Sequence, residues 1–221
     1  MVTRALAALI ILLAACRGFA ADAALDAALQ EAPVCCASFA DVEFQSIDFS
    51  ARQVSLRIGP PLSEKGADDA VYPAMHFEAG KSFFYAIALP DFESPYRFES
   101  HSFALGGWMP AAKAFYPVFL FLDEKKQPIR EVRSKLTWED GALLGGYIKD
   151  VVTILPQDAY LIVLTDPRLF GFTTRYSQGS RRYAVPNRMG GMNFASTEGT
   201  QWNLPFNPSG KIRLLFPRRE K

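Results

Sequence analysis

Apolar and polar residues alternate with a period of two along much of this chain, which is the pattern of a β-strand with one buried face. Residues 53–58 show it clearly, since Val54, Leu56 and Ile58 are separated by polar residues. Prolines, glycines and short polar turns separate the runs. Strands are predicted at residues 53–58, 82–89, 96–103, 115–122, 129–132, 147–155, 159–164 and 211–216. The spacing predicts an all-β fold, a single sandwich of about seven to nine short, mainly antiparallel strands.

Two of these runs, residues 82–89 and 115–122, are apolar on both faces. This is typical of strands in the middle of a sheet whose outer face is also partly covered. Phe115, Phe119 and Phe121 share one face of their strand, so we expect them in the core. Helix is expected only as a turn or two, at residues 25–30 and 166–170.

Residues 171–203 differ from the rest of the chain, because they are rich in Gly, Ser, Thr and Asn and show little alternation. The pattern predicts a long loop, which is usually functional or mobile when it lies inside a compact domain. The alternative is a solvated excursion whose arginines pair with acidic residues elsewhere.

The first fifteen residues are typical of a secretory signal, with Arg4 followed by an uncharged apolar run that is too short to span a bilayer. The run ends Leu-Ala-Ala-Cys at Cys16, which resembles the lipobox of bacterial lipoproteins, where the cysteine is acylated and becomes the new N-terminus. Ordinary cleavage after Ala20 remains the alternative. The predicted organisation is a signal peptide over residues 1–15, a tether with a cysteine pair over 16–36 and the sandwich over 37–217.

Arg17 follows the cysteine, and by resemblance to known lipoprotein sorting this favours anchoring to the outer membrane over the inner one. The expected location is therefore the periplasm, anchored by lipid, with a soluble periplasmic protein as the alternative.

The chain has 221 residues with 24 basic and 23 acidic side chains, and cleavage before Cys16 removes one basic residue and no acid, leaving 23 of each. A chain with no net charge is not expected to bind nucleic acid, which requires a basic surface. Its 49% hydrophobic content excludes intrinsic disorder as the main state.

Cys35 and Cys36 are adjacent, and Cys16 is the third cysteine of the chain. If Cys16 carries lipid, the pair has no other partner, and an oxidising compartment favours a disulfide between neighbours. The functional interpretation of such a bridge is a redox switch or a rigid turn on which apolar ligands can rest, and the alternative is a structural kink at the entrance to the domain.

The motifs of common catalytic sites are missing from the sequence, and His76 and His101 are its only histidines. We therefore expect no enzyme, no catalytic residues, no cofactor and no metal site. Saccharide binding requires exposed aromatic faces with polar neighbours. Trp108 and Trp202 are predicted as the platform with Arg182 and Arg188 as donors, and Trp138 is the weaker candidate. The alternative is that the tryptophans cap the ends of the core.

Residues 115–123 read Phe-Tyr-Pro-Val-Phe-Leu-Phe-Leu-Asp, and they resemble a stretch of the maltose-operon periplasmic protein family. Residues 85–90 and 160–165 resemble two further strands of that family, in the same order along the chain. The resemblance implies an exported protein without enzymatic activity that serves carbohydrate transport, with oligosaccharides or sugar-transport components as partners. The alternative is a scaffolding envelope lipoprotein that binds another protein and no sugar.

Overall fold

The computed structural model describes residues 26–61, 72–104, 112–140, 146–178, 181–186, 192–197 and 199–217, with the backbone alone at 178, 181–186, 192–197 and 200. The strands within these ranges, in chain order, are β1 (Gln45–Ser46), β2 (Gln53–Ile58), β3 (Ala74–Phe77), β4 (Gly80–Ala88), β5 (Tyr96–Phe103), β6 (Pro117–Leu122), β7 (Pro128–Arg133), β8 (Trp138–Asp140), β9 (Gly146–Ile154), β10 (Tyr160–Thr165), β11 (Thr173–Gln178), β12 (Arg181–Pro186), β13 (Met192–Thr197), β14 (Thr200–Pro205) and β15 (Gly210–Leu215).

The first sheet has six strands in the order β1–β4–β10–β6–β7, and β3 pairs with β4. The pairings are antiparallel except for the short parallel contact between β1 and β4. Val163 of β10 lies opposite Phe119 of β6 on one side and Tyr85 of β4 on the other. The two most apolar strands thus flank a third apolar strand at the centre of the sheet.

The second sheet has five strands in the order β2–β15–β5–β9–β8, and every pairing in it is antiparallel. Its strands keep the alternation that the sequence shows. Leu56, Phe98, Val152 and Ile212 are buried, whereas their neighbours along the strands are exposed or half-buried.

The core lies between the two sheets and contains apolar residues from both. Phe115, Phe119 and Phe121 are fully buried there, as predicted. The prediction of an all-β sandwich is confirmed, and all eight predicted strands are present. The predicted number of strands is too low, because among the described residues eleven strands form the two sheets and four more pair outside them. The missed β1, β3 and β8 are too short to show a period of two.

The outer face of the first sheet is apolar as well. Phe84, Val118, Ile162 and Leu164 form a second buried cluster there, and the segment from Cys36 to Phe44 packs over part of it. The expectation that strands apolar on both faces lie in a partly covered sheet is therefore confirmed.

The prediction of a long loop over residues 171–203 is wrong for the described part of that segment. β11 pairs with β14 and β12 pairs with β13, both antiparallel. One register runs through both pairs, from Thr173 opposite Pro205 to Pro186 opposite Met192. The four described strands of this segment therefore pair in one continuous antiparallel register, and we call these strands, β11 to β14, the arm. Its polar residues hid the strands, because a two-stranded ribbon has little apolar surface to bury.

The predicted tether is not free of the domain from residue 26 onward. Residues 26–31 are helical, and Leu29 is buried in the core between the sheets. The Lys81 ammonium donates hydrogen bonds to the carbonyls of Gln30 and Ala32, at 2.7 Å each. Val34 forms a bridge with Ala74, so packing against the sandwich begins before the predicted domain boundary at 37.

Candidate functional site

A cleft of about 430 Å³ lies on the outer face of the first sheet. Val118 and Leu120 of β6 and Leu164 of β10 form its apolar floor. These side chains point outward because successive residues of a strand alternate between the two faces, and Phe119 and Phe121 point into the core. The floor is thus built from the outward half of the strands that are apolar on both faces.

Two phenylalanines form the aromatic wall of the cleft. Phe39 lies in a 3₁₀ turn, Phe39–Asp41, and Phe77 is the last residue of β3. Their ring centroids are 6.1 Å apart, and both rings are half-buried. The turn is held by Asp41, whose carboxylate accepts hydrogen bonds from the Ser38 backbone N–H at 3.0 Å and from its hydroxyl at 2.9 Å.

Charged side chains form the rest of the cleft's rim. Asp166 accepts hydrogen bonds from the Arg168 backbone N–H at 3.0 Å and from its guanidinium at 2.8 and 2.9 Å. Arg133 also donates to Asp166, and its Nε lies 2.6 Å from a carboxylate oxygen of Glu131. Glu78 completes the charged lining.

Asp166 is ionised at neutral pH. The hydrogen bonds from Arg168 lower the pKa of its carboxyl most strongly, Arg133 lowers it further, and burial opposes both, with a resulting pKa of about 2. The Asp166 side chain is 3% exposed, so both guanidiniums act on it with little screening. Both carboxylate oxygens accept hydrogen bonds from the two arginines, so Asp166 holds these side chains at the rim and has no proton to donate.

The cleft combines an apolar floor, two aromatic rings and a few planar charged groups at its rim. Small-molecule sites have this composition, with volumes of about 300–1,000 Å³. The rings and floor suit the apolar face of a ligand such as a pyranose, and the carboxylates and guanidiniums suit its hydroxyl groups.

Two of the three tryptophans considered from the sequence, Trp138 and Trp202, are described, and both lie outside the cleft lining. Trp202 stacks on Tyr176 with 5.6 Å between ring centroids and an interplanar angle of 16°. Trp138 packs on the same tyrosine at 5.1 Å and donates from its indole N–H to the Thr174 hydroxyl at 3.3 Å. Both tryptophans are half-buried where the arm joins the sandwich, so this geometry favours the alternative that they cap the core.

Of the other predicted ligand residues, only Arg182 lies within the described part of the chain. Arg182 lies in β12 opposite Ser196, in a part of the arm whose side chains are not described. Trp108 and Arg188 lie outside the described residues, as does Cys16. The platform of Trp108, Trp202, Arg182 and Arg188 stays a prediction.

Cys35 and Cys36 are joined by a disulfide in the structure. Cys36 packs against the apolar cluster on the outer face of the first sheet, which also contacts Phe39. In the sequence, Cys36 thus precedes Phe39 of the aromatic wall by three residues.

The two histidines lie apart from the cleft lining. His101 stacks on Tyr147 at 4.4 Å, and its Nε2 lies 3.2 Å from a Glu99 carboxylate oxygen. His76 is exposed on β3. The described residues contain no group of three His, Cys, Asp or Glu side chains that could hold a metal ion.

Comparisons with models of known protein families, with characterised proteins and with solved structures found no match to this chain. Among the described residues, no helix is both long and apolar enough to cross a membrane.

Reasoning from sequence missed Phe39, Phe77, Arg133, Asp166 and Arg168 as candidate site residues. The sequence indicates the site only indirectly. Val118 and Leu120 are apolar and face outward, so residues from another part of the chain must pack over them. The sequence does not show which residues supply it.

Proposed function

We propose that this chain is an exported, lipid-anchored protein without enzymatic activity that binds saccharide and assists carbohydrate transport. The cleft on the outer face of the first sheet is its binding site. The observation that carries the proposal is that one cleft is lined both by the Phe39 and Phe77 rings and by the charged groups of Glu131, Arg133, Asp166 and Arg168. The resemblance to the maltose-operon periplasmic protein family supports a maltodextrin-type ligand.

The physical argument rests on how sugars bind. A pyranose ring has an apolar face of C–H groups, and covering it with an aromatic ring removes apolar surface from water. Its hydroxyl groups need both acceptors and donors. Glu131 supplies acceptor oxygens from a side chain that is 40% exposed, and Arg168 supplies donors from a guanidinium that is 58% exposed. Because the rim charges largely pair with one another, the site suits a neutral ligand better than a charged one.

The first prediction is that Phe39→Ala lowers the affinity for saccharide about tenfold or more, because a Phe face contributes roughly 1.5–3 kcal/mol when fully buried. The measurement is a titration with maltotriose, after a glycan panel that identifies any better ligand. Phe172→Ala is the matched control, since Phe172 is 63% exposed and lies outside the cleft lining. A melting curve of each variant separates lost binding from lost folding.

Two outcomes would contradict this assignment. If Trp202→Ala abolishes binding and Phe39→Ala leaves it unchanged, the site lies at the base of the arm, where the tryptophan platform was predicted. If the wild type binds nothing across the panel, the second candidate function is favoured.

The second candidate is a scaffolding envelope lipoprotein, and the arm is the observation in its favour. β12 and β13 are hydrogen-bonded to each other and to no other described strand. Both of their outer backbone edges are therefore available to pair with a strand of a protein partner.

A further inference from the structure

The outer face of the second sheet is strongly basic. Its outward positions hold five basic side chains and two carboxylates, Glu99 and Glu139. We call this surface the basic face and define it by the five: Arg57, Arg97, Lys149, Lys211 and Arg213. They come from four adjacent strands, and Arg213, His101 and Lys149 lie side by side in one row across three of them.

Most of these cations are not neutralised by other described residues. The Lys149 ammonium lies 3.3 Å from Glu99 and 3.8 Å from Glu139. Within the described ranges, Arg57, Arg97, Lys211 and Arg213 have no ion-pair partner. The chain from Cys16 onward has equal numbers of basic and acidic residues. The positive charge of this surface therefore reflects an uneven distribution of charge over the molecule and not a net positive charge of the whole chain.

The basic face also contains aromatic and apolar side chains. Tyr147 stacks on His101 and lies 5.7 Å from Phe103, and the Arg213 guanidinium lies 4.9 Å above the Phe103 ring. Val151 is 58% exposed on the same face. Cations that surround half-buried aromatic rings are suited to the headgroup region of a bilayer, where rings of this kind partition.

We propose that the basic face docks on a bilayer surface that contains anionic phospholipid headgroups. Charge complementarity favours this occupant, because each Lys or Arg held near an anionic membrane strengthens binding about fivefold. The length of the segment between Cys16 and the sandwich is also consistent with docking on the membrane. Nine residues lie between Cys16 and residue 26, where the described structure begins, and the ten steps from one to the other span at most about 35 Å. A lipid on Cys16, on which this step of the argument rests, therefore holds the domain near the membrane.

The orientation has a consequence for the cleft. The cleft opens on the outer face of the first sheet, which is the opposite face of the sandwich. A domain docked through the basic face therefore presents the cleft to the aqueous side, where a soluble ligand can reach it.

The test measures sedimentation with vesicles for the chain from residue 16 onward that carries Cys16→Ser, so that no lipid anchor contributes. We expect binding to vesicles of 30% phosphatidylglycerol in phosphatidylcholine and none to pure phosphatidylcholine. Arg57→Glu with Lys211→Glu should lower the partition coefficient at least about tenfold. Raising the salt concentration to about 0.5 M should weaken wild-type binding to a similar degree, because salt screens the attraction between exposed charges.

The matched control is Lys125→Glu with Lys135→Glu, which makes the same change in net charge at two exposed lysines outside the basic face. We expect it to bind within about twofold of the wild type. Equal losses in both double variants would overturn the proposal, because net charge and not this face would then control binding. Absence of wild-type binding to the anionic vesicles would overturn the proposal as well. This holds even if the protein binds soluble polyphosphate, because the face would then bind free phosphate groups and not a bilayer. Neither result bears on saccharide binding or on Cys16.

Discussion

At the scale of single residues, ion pairs with Asp166 hold the arginine side chains at the rim of the cleft. The Asp166 carboxylate is nearly inaccessible and contacts two guanidiniums, one from the sheet edge and one from its own turn. It also caps the 3₁₀ turn Pro167–Leu169 by accepting from the Arg168 backbone N–H. One carboxylate therefore fixes the geometry of both arginines that line the cleft.

The Asp166 pKa predicts a loss of stability in acid. Its pKa of about 2 in the folded protein lies below the ordinary value of 3.8, so folding favours the carboxylate. The stabilisation is fully present above about pH 4 and is lost as the pH falls through 2, at about 2 kcal/mol in total. Urea unfolding of the wild type and of Asp166→Asn at pH 5 and pH 2.5 measures it. The variant should be less stable at pH 5, and the difference should shrink at pH 2.5. An equal difference at both pH values would contradict the assignment.

At the scale of elements, the arm is attached to the sandwich by an aromatic contact. Tyr176 of β11 is buried between Trp138 of β8 and Trp202 of β14. Gly146, the first residue of β9, lies against the same ring. The glycine is required here by a close approach, since a β-carbon on it would lie 2.5 Å from the Tyr176 Cε2 atom.

Gly146→Ala should therefore destabilise the junction between arm and sandwich, at a cost of about 1–3 kcal/mol, the usual cost of overpacking. Urea unfolding followed by tryptophan fluorescence measures it, because Trp138 and Trp202 report on the junction. The control is Tyr176→Ala, which removes the ring that collides. In the Tyr176→Ala background, the Gly146→Ala substitution should lower the free energy of unfolding only slightly further. If the two losses simply add, the contact between Gly146 and Tyr176 is not the cause.

At the scale of the whole molecule, the sandwich has two different outer faces. One is apolar, partly covered by the segment from Cys36 to Phe44, and carries the cleft. The other is basic and bears half-buried aromatic rings. This division gives the molecule a membrane side and a ligand side in the proposed arrangement.

Lipid anchoring is the prediction that belongs to this scale. Cys16→Ser should release the protein from the membrane fraction after a high-salt wash, which removes the contribution of the basic face. Fractionation with immunodetection measures the release, and mass spectrometry measures the lipid. The double variant Cys35→Ser with Cys36→Ser is the control and should stay bound. A wild type that lacks lipid and is released by salt would instead indicate cleavage after Ala20.

The sequence by itself determined the fold class and eight of the eleven strands described in the sandwich, because their burial follows from a period of two that is readable residue by residue. It also indicated that the first sheet is covered on both sides, from the residues of 82–89 and 115–122 that are apolar at nearly every position. It predicted the arm as a loop, because a two-stranded ribbon with polar side chains lacks the apolar alternation by which strands are recognised.

Only the tertiary structure decided where the cleft lies and what forms it. Phe39 and Phe77 come from different segments, and Arg133 and Asp166 are 33 residues apart, so no local pattern brings them together. The basic face was hidden for the same reason: Arg57, Arg97 and Lys211 are distant in sequence and become neighbours only through the order in which the strands pair. Alternation along one strand shows which residues face outward, but strand order is set by long-range packing, and it determines which of those residues meet.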